Sequence, residues 1–172
     1  NILVSTIPFG EIDPRPLEIL KTVGAKVTIN PLGRKLRESD LVDIIPDFDV
    51  LIAGTELISS NVLEKAERLK LIARVGIGLD SVDLGAARAR GIRVCYTPDA
   101  PSPAVAELTI ALMIDLLRLV QVSSYRMRQG EWYRYLGRRL SEVTIGIIGV
   151  GRIGGRVIDH LAGFDCKRIL IN

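Results

Sequence analysis

Residues Val143 to Phe164, VTIGIIGVGRIGGRVIDHLAGF, leave this chain little freedom in how it can fold. The apolar and β-branched run Val143, Thr144, Ile145, Ile147 and Ile148 reads as a buried parallel strand. The pattern G-x-G-x-x-G, made by Gly149, Gly151 and Gly154, follows at once, and Ile153, Val157, Leu161 and Phe164 then recur at helical spacing. A strand, a glycine turn and an amphipathic helix in that order form a cradle for a diphosphate. Gly149 serves the tight turn, Gly151 lets a pyrophosphate approach bare backbone, and Gly154 lets the helix pack closely. The N–H groups of the first helical turn, at Arg152 and Ile153, carry a partial positive charge that suits a dinucleotide. Arg152 either adds a charge-assisted contact to the phosphates or stands as an exposed arginine at the helix start.

Such a unit also calls for a residue about 20 positions past the glycines, at the end of the second strand, to hold the ribose hydroxyls. Lys167 to Asn172, KRILIN, reads as that strand, which puts Asn172 at or beside the ribose position. An amide can hydrogen-bond a ribose but brings no carboxylate to reject a 2′-phosphate. A dinucleotide is therefore expected, and NAD versus NADP stays open.

Ahead of this unit, short apolar runs alternate with helical patterns. Strands are expected at Ile2 to Thr6, Lys26 to Asn30, Asp49 to Ala53, Leu69 to Val75 and Arg93 to Thr97. Helices open at Pro14-Arg15-Pro16, under a cap at Ser39-Asp40, near Ser60 and at Val82; Gly24 and Gly91 close the first and the last. This alternation implies right-handed crossovers and a parallel, doubly wound sheet. Ligands on such sheets lie at the carboxyl ends of the strands, which points to Thr6 to Phe9, Gly54-Thr55-Glu56 and Arg74 to Asp80. Three prolines in Thr97 to Pro103 mark a boundary. A long helix is then expected from Ala104 to Arg128. Its first half is apolar almost all round, as in a helix buried between domains or subunits. Gly130 ends it, and Glu131 to Ser141 is a polar connection.

The chain has 172 residues, 48% of them hydrophobic, which is enough for one large or two small domains. It starts at Asn1 and ends within a nucleotide fold, so a piece of a longer polypeptide is expected. Cys95 and Cys166 show no metal or redox spacing and read as buried free thiols in a reducing, cytoplasmic setting. No apolar run is long enough to span a membrane, and neither a span nor a leader is expected from these residues. The net charge of +3 arises from dispersed arginines. Arg126, Arg128, Arg134, Arg138 and Arg139 interleave with Tyr125, Trp132, Tyr133 and Tyr135, a pattern better suited to a solvated or subunit-contacting face than to nucleic acid.

Several motifs in order resemble the D-isomer-specific 2-hydroxyacid dehydrogenase family, its phosphoglycerate dehydrogenase-like branch most closely. They are Leu69 to Asp83 (LKLIARVGIGLDSVD), Gly91-Ile92-Arg93-Val94 with Thr97-Pro98, Ala106-Glu107-Leu108-Thr109, Gly130-Glu131-Trp132 and Gly146 to Gly154. The resemblance implies a flavodoxin-like substrate domain over residues 1–98. The inter-domain helix and the beginning of a Rossmann NAD-binding domain would follow over residues 99–172. It implies hydride transfer between NAD and C2 of a small 2-hydroxy or 2-keto acid, and a homodimer through the Ala104 to Arg128 region. It places the acid on Arg74, Val75, Gly76, Ile77 and Gly78, with Ile77 also beside the nicotinamide; a glycine-rich turn after a strand can act as an anion nest. For Arg74, a structural ion pair is the competing reading.

The family's catalytic arginine, glutamate and histidine match nothing in this chain and are expected beyond Asn172. His160 is read as a solvent-facing helix residue rather than the base. Many phosphoglycerate dehydrogenases carry an arginine after the third strand. Here that loop is Ala53-Gly54-Thr55-Glu56, and a carboxylate there is expected to repel a substrate phosphate. Two other readings compete: an NAD-sensing, dehydrogenase-like corepressor without turnover, and an alanine dehydrogenase-type or homocysteinase-type fold, which the Arg74 to Asp83 segment disfavours.

Overall fold

Five apolar runs of three or four residues pair in parallel over the first half of the chain, and each is followed by a polar turn and, for the first four, a helix. Residues 1–172 are described by a computed structural model that divides into two compact units, Asn1–Pro98 and Asp99–Asn172. The first unit runs β1 (Ile2–Val4), α1 (Arg15–Thr22), β2 (Val27–Ile29), α2 (Glu38–Ile44), β3 (Val50–Ala53), α3 (Ser60–Lys65), β4 (Leu71–Arg74), α4 (Leu84–Ala89) and β5 (Arg93–Tyr96). Its strands lie in the order β2-β1-β3-β4-β5 and all pairs are parallel. This is the doubly wound arrangement the alternation implies, with the order reversing between β1 and β3.

One face of this sheet is dry. Leu3, Leu51 and Ile72 pack without exposure against Leu41 of α2, Val62 and Leu63 of α3, and Ala87 of α4. The opposite face carries α1, which buries no residue of its own, and the β3 and β4 positions on it are half-buried. Two helix starts use side-chain caps: Ser59 accepts from the Val62 N–H at 3.4 Å, and Asp83 from the Ala86 N–H at 2.9 Å. The α2 start differs from the expected Ser39-Asp40 cap. Its cap residue is Arg37, and Asp40 lies inside the first turn, where its carboxylate accepts the Arg37 N–H at 2.8 Å. Arg34 donates to the same carboxylate at 2.6 Å and, with the Arg37 N–H, holds its pKa down at about 2.

The second unit contains α5 (Ser102–Arg118), α6 (Val120–Arg128), β6 (Thr144–Ile147), α7 (Arg152–Leu161) and β7 (Arg168–Ile171). β6 and β7 form a parallel two-stranded sheet. Ala106 and Ile110 of α5 pack with Ile145 of β6 and with Val157 and Leu161 of α7, joined by Leu140 from the connection.

The long helix is not continuous. Leu119 takes a left-handed conformation (φ 54°), and its N–H caps the Asp115 carbonyl, so α5 ends and α6 starts there. The apolar pattern runs through this break because leucine carries no sequence signal for a left-handed turn. Within this chain Ala106 and Ile110 of α5 are covered, whereas Val105, Leu108, Leu112 and Leu116 are exposed. Cys95 is exposed on β5, at the sheet edge, and Cys166 is partly buried, so the expectation of two buried thiols fails for Cys95. No helix is long and apolar enough to cross a membrane.

Candidate functional site

In the first unit, the carboxyl ends of β1, β3 and β4 gather the groups that can hold a ligand. Side chains alternate along a strand, so Arg74 at the end of β4 shares the buried face with Ile72. It is 8% exposed; one guanidinium nitrogen donates to the Val75 carbonyl, Nε has no partner, and no carboxylate pairs with it. The structural ion pair is therefore absent. A buried guanidinium without a counter-charge is costly. An anionic ligand is the group that would relieve it.

The loop after Arg74 is held open by specific bonds. The Val75 N–H donates to the Ala53 carbonyl at 2.8 Å, and the Gly76 N–H to the Thr97 hydroxyl at 2.9 Å, while the Thr97 N–H returns to the Gly76 carbonyl at 3.0 Å. Gly76 has φ 150°, and a Cβ there would stand 2.6 Å from the Arg74 guanidinium, so glycine is required. Of the five residues expected to meet the acid, Val75 and Gly76 thus have their N–H groups committed within the protein. Ile77 and Gly78 keep theirs free. Sequence spacing cannot separate these two pairs, and it gave no hint that Thr97, 21 residues on, fixes the turn.

Glu56 does not stand in this region as an exposed charge. It is 2% exposed, and its Oε1 accepts from the Ser5 hydroxyl and, at 3.0 Å, from the Gly54 N–H. The expectation that it faces and repels a substrate phosphate is corrected: sequence reports the charge and not the direction in which the short loop turns it.

In the second unit, Gly149 (φ 88°) turns the chain off β6, and α7 starts at Arg152 under a Gly151 cap with no side-chain hydrogen bond. The N–H groups of Arg152, Ile153 and Gly154 have no partner. A Cβ on Gly154 would lie 2.2 Å from the Gly149 carbonyl oxygen, so the close approach that shapes this cradle exists only with glycine. Around Gly151 a Cβ would meet nothing within 4 Å, leaving bare backbone beside three free donors. These features fit a diphosphate. Asn172 follows β7 directly: its N–H donates to the Ile147 carbonyl at 3.1 Å, and its carbonyl accepts the Gly149 N–H at 3.0 Å. The backbone of Asn172 is thus locked beside the glycine turn. Arg156 on α7 pairs with Asp99 at 2.9 Å, an ion pair absent from the sequence reading. His160 is exposed on α7. No group of His, Cys, Asp and Glu side chains is placed to hold a metal ion.

Residues 2–163 match the family model described as D-isomer specific 2-hydroxyacid dehydrogenase, catalytic domain. The chain belongs to this family. Among curated relatives it is 41% identical over 157 residues to D-3-phosphoglycerate dehydrogenase of Methanocaldococcus jannaschii, an alignment covering 89% of this chain and 29% of that enzyme. Among solved structures it superposes on the TT0316 protein of Thermus thermophilus with a TM-score of 0.88 and 34% identity, covering 99% of this chain and 55% of that one. It also superposes on D-lactate dehydrogenase of Aquifex aeolicus, solved with NAD and lactic acid, with a TM-score of 0.80 and 30% identity, over 99% of this chain and 50% of that one. The dehydrogenase family chain described here therefore spans about half, or less, of the relatives it matches.

Proposed function

We propose that the polypeptide carrying this chain is an NAD-dependent dehydrogenase acting on a small D-2-hydroxy or 2-keto acid. The observation that carries this reading is Arg74, a buried guanidinium with no carboxylate partner at the carboxyl end of β4, followed by the free N–H groups of Ile77 and Gly78. Together they offer a fixed positive charge and two donors to a carboxylate. The glycine turn and the start of α7 would hold the pyrophosphate, Arg152 would add a cation at its edge, and Asn172 would meet the ribose. NAD, when bound, supplies the hydride acceptor and donor at its nicotinamide. Ile77, as the family resemblance implies, would lie beside that ring. The proton that accompanies the hydride is handled by groups outside residues 1–172, since His160 points to solvent.

With Glu56 turned inward, the loop after β3 offers no argument against a phosphorylated acid, and the M. jannaschii relative is a phosphoglycerate dehydrogenase. Phosphohydroxypyruvate thus joins hydroxypyruvate, glyoxylate and pyruvate as substrates to test. Asn172 gives no carboxylate to exclude a 2′-phosphate, so NADP(H) belongs beside NAD(H) in every assay. Two free cysteines and no disulfide suit a reducing compartment such as the cytoplasm.

The exposed apolar row Val105, Leu108, Leu112 and Leu116 on α5 supports a homodimer through the α5 and α6 region. Light scattering of the complete polypeptide tests it, a dimer at micromolar concentration being expected and a clean monomer contradicting it. Turnover of reduced cofactor with one of these acids tests the main reading. Tight NADH binding without turnover would favour the sensor instead.

A further inference from the structure

Glu56 is a buried carboxylate that the proposed chemistry leaves unused. No cation pairs with it, and its donors are the Ser5 hydroxyl at the end of β1 and the Gly54 N–H at the end of β3. These are the two strands between which the sheet order reverses. Stability alone would be served as well by an apolar residue, because burying a carboxylate costs more than two hydrogen bonds ordinarily return. What this carboxylate grips is more informative than what it costs.

The Gly54 N–H and the Ala53 carbonyl are the two ends of one peptide group. Glu56 accepts from the N–H end at 3.0 Å, and the Val75 N–H donates to the carbonyl end at 2.8 Å. A charge-assisted bond at one end of a peptide fixes its plane and polarises the other end. The Ser5 N–H, donating to the Ile52 carbonyl at 3.0 Å, holds β1 against the same strand end. The sequence of contacts therefore runs Ser5, Glu56, the Ala53–Gly54 peptide, Val75, and then Gly76 to Gly78.

We propose that Glu56 is a positioning residue: it holds the Ala53–Gly54 peptide so that Val75 enters the Arg74 to Gly78 loop in one orientation, presenting the Ile77 and Gly78 N–H groups to an acid. This rests on the dehydrogenase reading for its consequence in catalysis and on the geometry alone for its consequence in the loop. It also assigns the charge of Glu56 to loop geometry rather than to the selection of one acid over another.

The test compares the complete wild-type polypeptide with Glu56→Gln and Ser5→Ala by hydrogen exchange and by steady-state kinetics. Glu56→Gln keeps the acceptor oxygen and loses the charge. Exchange at Val75 should rise about 3- to 10-fold, the return expected from weakening one hydrogen bond, with β4 and α3 unchanged and the thermal midpoint preserved. Ser5→Ala, which leaves the grip on the peptide in place, should raise it less. The KM for phosphorylated and unphosphorylated 2-keto acids should rise by a common factor while the KM for NADH stays fixed. Unchanged exchange at Val75 would overturn the proposal, as would a Glu56→Gln protein that loses its thermal midpoint. A KM that falls only for the phosphorylated acid would also overturn it, in favour of direct repulsion. If the wild type turns over no acid, the dehydrogenase reading fails, and the exchange data still decide the role of Glu56.

Discussion

The two units build their ligand-holding loops in different ways. In the first, five strands and three helices close a face on which Leu3, Leu51, Ile58, Leu63 and Ile72 have no exposure. In the second, two strands lean on α5 and α7 over a core of Ala106, Ile110, Leu140, Ile145, Val157 and Leu161. The first unit carries an internally tied loop, with Val75 and Gly76 bonded to β3 and Thr97. The second carries an open one, with three helix-start donors unpaired. In the first unit the packing around Arg74 offsets the cost of holding its guanidinium buried and unpaired. The smaller sheet supplies bare backbone and a helix end instead.

The contrast can be broken most severely in the closed core. Leu63→Ala, which empties a fully buried site under the five-stranded sheet, should cost about 2–5 kcal/mol in urea unfolding. Ile19→Ala, at an exposed position of α1 in the same unit, should stay within about 0.5 kcal/mol. Equal losses would mean that the closed face of the sheet is not its core.

Next in size come the two ligand-holding devices. Gly154→Ala drives a methyl against the Gly149 carbonyl and should weaken NADH binding by on the order of 100-fold in calorimetry, about 2.7 kcal/mol, while leaving the KM of the acid at saturating cofactor within about twofold. Arg74→Met should do the reverse. It removes the buried charge, raises the KM for the acid about 10- to 100-fold, the worth of a charged hydrogen bond, and spares NADH binding. A crossover of the two effects would show that the acid and the cofactor are not divided between the units in this way.

The smallest effect concerns pH. The Asp40 carboxyl is held at about 2 by Arg34 and the Arg37 N–H. A depressed carboxylate stabilises the fold fully above its unfolded value of 3.8 and loses that contribution as pH falls toward 2. The Asp40 carboxyl resonance should titrate near 2, and Asp40→Asn should abolish that acid-side dependence, its loss of stability being largest at neutral pH, kept small by solvent around Arg34, and vanishing as pH falls to about 2. A midpoint near 3.8 would mean that the Arg34 pair does not form in solution.

Much of the fold could be read in the chain. The glycines at 149, 151 and 154 sit where strand gives way to helix, and the alternation of apolar runs before Pro98 matches five parallel strands in order. What could not be read has a physical pattern. The break at Leu119 is made by hydrogen bonds at a residue with no turn signature. The burial of Glu56 follows from a loop of two residues whose direction depends on β1, 51 positions away. The commitment of the Val75 and Gly76 N–H groups depends on Ala53 and Thr97, which are near only once the sheet has formed. Periodicity reports which elements form; it does not report which donors they leave free.

The proposal put forward for the complete polypeptide is that it binds an anionic 2-keto acid and a nicotinamide dinucleotide for hydride transfer. The most direct measurement follows nicotinamide absorbance with the complete polypeptide, NADH or NADPH, and phosphohydroxypyruvate, hydroxypyruvate, glyoxylate or pyruvate in turn. The account predicts oxidation of the reduced cofactor with at least one of these acids, lost in Arg74→Met through a raised KM. Tight cofactor binding with no oxidation by any acid would contradict it.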